Sequence, residues 1–105
     1  DVKNFCEQVF QFSDKKSVIL GDFTTHEVLR YMQKVNGIRP EVVLSSDYTF
    51  THINNLIDSG WSVYIIGGDI HPYYLRKYAL SSDDIEQNYN FVKMGPINKL
   101  TMKNL

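Results

Sequence analysis

The fold is decided by the stretch SVILGDFTTHEVLRYM, residues 17–32, where an apolar run meets a polar corner and then a helical pattern. Residues 17–20 contain adjacent β-branched side chains, which favour a β-strand. Residues 24–35 carry apolar side chains at helical spacing, and the Asn36–Gly37 pair that follows is a typical helix stop. The stretch therefore predicts a strand that runs almost directly into a helix.

The same alternation continues along the chain. EVVLSS, residues 41–46, predicts a second strand, and DYTFTHINNLIDSG, residues 47–60, predicts a second helix. WSVYIIGG, residues 61–68, predicts a third strand that ends on a glycine pair. Strands that alternate with helices are typical of parallel sheets with crossover helices. We therefore expect an α/β fold in which helices cover both faces of a parallel sheet.

The flanking segments are less regular. Apolar side chains at helical spacing over residues 2–10 predict an amphipathic first helix that ends near residues 13–14. The segments beyond the third strand are assigned in chain order: an irregular hairpin or a subunit contact at 69–80, a helical turn at 81–88, a fourth strand at 89–95 and an irregular tail at 96–105.

Composition narrows the classes of function. The chain has 105 residues, enough for one domain, and its net charge of -1 supplies no general attraction to nucleic acid. No apolar run approaches the roughly 20 residues that span a bilayer. The lone Cys6 lies in an apolar-periodic stretch, which predicts a buried, reduced thiol and favours the cytoplasm. Because the chain starts at Asp1, we expect a piece of a longer protein.

Ligands of open α/β sheets bind outside the carboxyl ends of the strands. Three loops, at residues 21–26, 45–49 and 67–71, are expected at that edge, and two of them run into helices whose first N–H groups favour anions. The candidate ligand-binding residues supply hydroxyls, a carboxylate, close backbone approach or a cation: Asp22, Thr24, Thr25, Ser45, Ser46, Gly67, Gly68 and Lys93. Thr24, Thr25 and Ser46 are equally good helix caps, so a purely structural interpretation stays open.

Other chemistry is less well marked. Asp22, Asp47 and Asp69 occupy corresponding places in the three loops and could form a carboxylate cluster for a cation or for acid–base chemistry. His26 and His71 could face the same rim, but their spacing matches no metal motif. The sequence holds no Ser–His–Asp arrangement with an elbow, no P-loop and no dinucleotide fingerprint, so no metal and no cofactor are predicted.

Three quoted stretches together resemble the effector-sensing domain of DeoR-type transcriptional repressors: residues 17–32, residues 41–80 and NFVKMGPINKLTMKNL, residues 90–105. The family's threonines match Thr24–Thr25, its Thr-Asn-Ser appears as residues 45–47, and its glycine pair is Gly67–Gly68. FVKMG and KLT echo its later strand. Gly21 stands at the family's Asp position and Phe23 at its Gly position.

The resemblance implies a Rossmann-like, three-layer fold of the ribose-5-phosphate-isomerase-like superfamily, of which residues 1–105 would form a partial domain. It also implies binding of a phosphorylated sugar without catalysis, a homo-oligomer, and DNA binding through a separate N-terminal helix-turn-helix domain that this chain lacks. Two alternatives stay open. One is a sugar-phosphate isomerase in which Asp22, Asp69 or Glu86 would be the general base. The other is a structural remnant that binds no ligand and mediates only subunit contacts, through the aromatic-rich segment HPYYLRKY, residues 71–78.

Overall fold

The computed structural model describes residues 1–21, 23–66 and 82–103. Within them the helices are α1 (Val2–Phe12), α2 (Phe23–Asn36), α3 (Phe50–Asp58) and α4 (Ser82–Asn88). The strands are β1 (Ser17–Leu20), β2 (Val43–Ser45), β3 (Ser62–Ile66), β4 (Tyr89–Met94) and β5 (Ile97–Met102). The predicted elements up to β3 are confirmed in type and order, as are α4 and β4.

The five strands form one mixed sheet in the order β2-β1-β3-β5-β4. β1 lies between β2 and β3 and pairs with both in parallel. β5 pairs antiparallel with β3 on one side and with β4 on the other. The prediction of a wholly parallel sheet is therefore wrong for β4 and β5, and the chain is a small α/β domain with a mixed sheet.

The antiparallel half is a hairpin that replaces the irregular tail predicted from residue 96 onward. β4 and β5 are joined by a turn at Gly95 and Pro96, and Gly95 has a φ of 61°, as two-residue hairpin turns require at their first position. β5 was missed because both its faces are covered. Ile97 packs with α1 and α2, whereas Leu100 packs with α3 and α4, so its apolar residues do not alternate.

Each face of the sheet carries its own hydrophobic cluster, because successive strand residues point to opposite faces. On one face, Ile19, Tyr64 and Ile97 pack against α1 and α2. On the other face, the strand residues Val18, Leu20, Val63, Ile65 and Leu100 pack against Ile53 of α3 and Ile85 of α4. Helices on both faces were predicted and are confirmed.

The prediction that Cys6 is buried is confirmed, and the residue lies on α1. Cys6 is fully buried and makes no disulfide, and burial, reinforced by the neighbouring Glu7 carboxylate, raises the pKa of its thiol. A raised pKa disfavours the thiolate, which is the reactive form. Cys6 therefore acts as a small apolar side chain in the core between α1 and the sheet.

Candidate functional site

The candidate site lies outside the carboxyl end of β1, where the helices that follow β1 and β2 pack on opposite faces of the sheet. The helix that follows β1 is α2, whose Leu29 and Met32 pack on one face of the sheet. The helix that follows β2 is α3, whose Ile53 packs on the other face. Parallel sheets bind ligands where successive connections leave toward opposite faces. β1 and β2 are neighbours in the sheet, so that point lies outside the carboxyl ends of these two strands.

Gly21 forms the floor of this site. It is buried directly after β1, its N–H donates to the carbonyl of Ser45 at 3.2 Å, and its carbonyl accepts from the hydroxyl of Ser46 at 3.3 Å. A Cβ at this position would lie 2.8 Å from Ile66 Cδ1 and 3.0 Å from His26 Nε2. A side chain at this position would therefore require Ile66 and His26 to shift.

His26 braces the first turns of α2 against β1. Its side chain is buried, and its Nε2 lies 3.1 Å from the carbonyl of Ile19. Because a carbonyl can only accept, Nε2 carries the proton. His26 therefore has a structural role at the edge of the site. Within residues 1–21, 23–66 and 82–103, no three His, Cys, Asp or Glu residues are grouped so that they could hold a metal ion.

The threonine pair lies at the start of α2, as predicted. The helix begins at Phe23, so Thr24 and Thr25 belong to its first turn, and Thr25 is half-buried. The candidates on the neighbouring loops fall outside the described residues: Asp22, Gly67, Gly68, Asp69 and His71. The side chain of Thr24 also lies outside them. The ligand-binding role of this corner stays a prediction.

A polar cluster follows β2 and differs from the simple helix cap that the sequence suggested. The Ser45 hydroxyl lies 3.3 Å from Nε2 of His52 and accepts the N–H of Asp47 at 3.1 Å. The second oxygen of Asp47, Oδ2, lies 3.8 Å from Nδ1 of His52. The sequence analysis did not predict this cluster, because Ser45 does not lie in a Gly-x-Ser-x-Gly nucleophile elbow. The available signal was the spacing of a serine, an aspartate and a histidine over residues 45–52.

Thr49 caps α3 and fixes Asp47. The Thr49 hydroxyl accepts the N–H of His52, while its own N–H and O–H donate to Oδ1 of Asp47 at 3.0 and 2.8 Å. Partial burial would raise the pKa of Asp47, but the Thr49 hydrogen bonds and the nearby His52 outweigh it and lower that pKa. Asp47 is therefore a carboxylate at neutral pH, and it already supplies the negative charge that the start of α3 favours.

Two other candidates lie far from this edge. In the sheet register, Ser45, Leu20, Ile65, Asn98 and Lys93 form one row across the five strands. Four strand spacings of about 4.8 Å place Lys93 about 19 Å from Ser45, so the structure does not bring this exposed lysine to the site. Glu86 lies on α4, which leads into the start of β4, and it lines a shallow cleft with Lys103 after β5.

A cavity of about 210 Å³ also lies away from the candidate site. Phe50 and Asn54 of α3 line it together with Tyr89 and Met102, at the start of β4 and the end of β5. The Tyr89 hydroxyl donates to Asn54, and burial raises the pKa of that hydroxyl. This cavity contains none of the predicted ligand-binding residues.

Comparisons with protein-family models, with curated proteins and with solved structures find no significant match to this chain. Across the described ranges, every helix is too short or too polar to cross a lipid bilayer. Fold and site geometry are thus the observations on which a functional proposal rests.

Proposed function

We propose that this chain is the effector-sensing and oligomerisation domain of a DeoR-type transcriptional repressor of sugar metabolism. In this proposal a phosphorylated sugar binds outside the carboxyl end of β1 and modulates DNA binding by a separate helix-turn-helix domain in the cytoplasm. The observation that supports it most is that α2, which follows β1, and α3, which follows β2, pack on opposite faces of the sheet. Ligands of such sheets bind at this point.

The first turn of α2 is the better place for the phosphate group. A helix of 14 residues has a positive dipole end that favours an anion, and Thr24 and Thr25 belong to its first turn. The start of α3 is less suitable, because Asp47 already holds a carboxylate beside its cap. The finer fold assignment, a partial three-layer domain of the ribose-5-phosphate-isomerase-like superfamily, belongs to the same proposal.

Thermal unfolding with a panel of sugar phosphates tests the proposal. A ligand at about 100 times its Kd stabilises the native state by about 2.7 kcal/mol, which raises the Tm by several degrees. We expect at least one sugar phosphate to do so and the same sugar without phosphate not to. The Thr24→Val/Thr25→Val double variant is expected to lose the response.

Thr51→Val is the matched control, because Thr51 is an exposed hydroxyl residue on α3. It should keep the full ligand response, and the ligand-free Tm of every variant shows whether folding is intact. If no sugar phosphate in the panel changes the Tm of the wild-type chain, the sensing proposal is wrong.

A further inference from the structure

The His52 ring lies between the Ser45 hydroxyl and the Asp47 carboxylate, the arrangement in which a histidine acts as general base for a serine. The Ser45 Oγ lies 3.3 Å from His52 Nε2, and the opposite ring nitrogen, Nδ1, lies 3.8 Å from Oδ2 of Asp47. When Nδ1 carries the proton, it faces a carboxylate and leaves Nε2 free to accept the serine proton. Nε2 is thus within hydrogen-bond distance of the serine, and Nδ1 is within ion-pair distance of the carboxylate.

We propose that these three residues form an acyl-transfer site that hydrolyses small carboxylic esters. Ser45 Oγ is the nucleophile and His52 Nε2 is its general base, so these two are the catalytic residues. Asp47 is a positioning residue that acts through the histidine ring. Ser45 is also a candidate ligand-binding residue, but this activity does not require a sugar phosphate at the start of α2.

The surroundings of Ser45 support its role as nucleophile. Ser45 is the last residue of β2, so the sheet holds its backbone. The N–H of Asp47 donates to Ser45 Oγ at 3.1 Å, and this bond strengthens as the oxygen gains negative charge. Ser45 is half-buried, and the side chains of His52 and Asp47 are 31% and 45% exposed, so the cluster is open to solvent.

The Asp47 carboxylate is held in place for its role. Its Oδ1 accepts two hydrogen bonds from Thr49, which leaves Oδ2 directed to His52. A negative charge at 3.8 Å stabilises the imidazolium that forms when His52 takes the serine proton.

The reaction has two balanced steps. In the first, Ser45 Oγ bonds to the acyl carbon as its proton passes to His52 Nε2, the bond to the leaving oxygen breaks, and the leaving alcohol takes that proton. In the second, a water oxygen bonds to the acyl carbon and gives a proton to His52 Nε2. The Ser45–acyl bond then breaks, Ser45 Oγ recovers the proton, and the carboxylic acid is released.

Incubation of the full chain with p-nitrophenyl acetate, followed by peptide mass mapping, tests this proposal. We expect release of p-nitrophenol and an acetyl group on Ser45. Ser45→Ala should remove both the adduct and the enzymatic release. His52→Gln should slow acetylation of Ser45 by about 100-fold or more, the range for loss of a general base.

Thr51→Ala is the matched control, because it removes an exposed hydroxyl from the same turn of α3 and should acetylate Ser45 at the wild-type rate. Asp47→Asn should slow acetylation, and Asp47→Glu should restore part of it, which a merely structural role would not produce. Acetylation confined to lysines or the amino terminus, or a Ser45 adduct that forms equally fast in His52→Gln, would overturn the proposal.

Discussion

At the scale of single residues, the site depends on Gly21 and its neighbours. Its backbone bonds to both Ser45 and Ser46, and the space where its side chain would stand is filled by Ile66 and His26. Its conformation is not the reason for the glycine, since the positive-φ glycines are Gly37, Gly60 and Gly95 among the residues that the structure describes. The closeness of these two side chains therefore limits what fits at this position.

Gly21→Ala is expected to lower the free energy of unfolding by about 1 kcal/mol, the low end of the cost of overpacking, because the end of the Ile66 side chain can shift. The new Cβ would approach Ile66 Cδ1 at 2.8 Å and the hydrogen-bonded ring of His26 at 3.0 Å. Urea unfolding measures the loss. Ile66→Val removes the Cδ1 atom, so the double variant should lose less than the sum of the two single losses. Strict additivity would contradict this account.

At the scale of elements, Arg39 joins the connection before β2 to the end of α1. Its guanidinium donates to the carbonyls of Phe10, Ser13 and Asp14 at 2.6, 3.0 and 2.8 Å and also pairs with Glu41. The last carbonyls of a helix have no partner within that helix. One planar side chain therefore satisfies the end of α1 and fixes the path from α2 to β2.

Arg39→Lys is expected to destabilise the fold by about 1–3 kcal/mol, because an ammonium group cannot reproduce the planar set of donors. Arg30→Lys is the matched control. Arg30 forms an exposed pair with Glu27 on α2, and its substitution should change stability by less than about 0.5 kcal/mol. Denaturant unfolding compares the two variants, and equal losses would show that the geometry of the Arg39 donors is unimportant.

At the scale of the whole molecule, the sheet joins a parallel half to an antiparallel half, and Asp14 connects both to α1. Its carboxylate accepts from the Ser62 hydroxyl at 2.7 Å and pairs with Lys99 at 3.2 Å. Ser62 begins β3, and Lys99 lies on β5. The hydrogen bonds from Ser62 and Lys99 lower the pKa of Asp14.

Asp14→Asn should therefore alter how stability depends on pH. A carboxyl whose pKa is lowered in the folded state stabilises that state above its unfolded pKa of about 4 and loses this effect as pH falls through the folded pKa. The variant is expected to be less stable at neutral pH by up to about 1 kcal/mol, since the group is exposed, and the difference should shrink below about pH 4.

Thermal unfolding from pH 7 down to acidic conditions measures this difference. Asp58→Asn serves as the control, because it changes the net charge equally on an exposed residue at the end of α3. A deficit in Asp14→Asn that stays constant across the whole pH range would show that the charge of Asp14 contributes nothing.

The boundary of α3 shows why even confirmed elements were predicted imperfectly. The sequence predicted a helix over residues 47–60, whereas α3 is Phe50–Asp58. Asp47 and Thr49 bond to each other and cap the helix from outside, because their short polar side chains compete for backbone groups. The sequence shows which residues could cap a helix. Which of them does so depends on the residues that the fold places beside it.

The sequence by itself determined the three parallel strands, their connecting helices and the edge at which Thr25, Ser45 and Ser46 lie, because hydrophobic periodicity and helix stops are local signals. Only the tertiary structure decided that β5 enters the sheet beside β3, that Lys93 lies four strands from Ser45, and that His52 meets both Ser45 and Asp47. Strand order, register and side-chain contacts are set by partners elsewhere in the fold, and no local pattern specifies them.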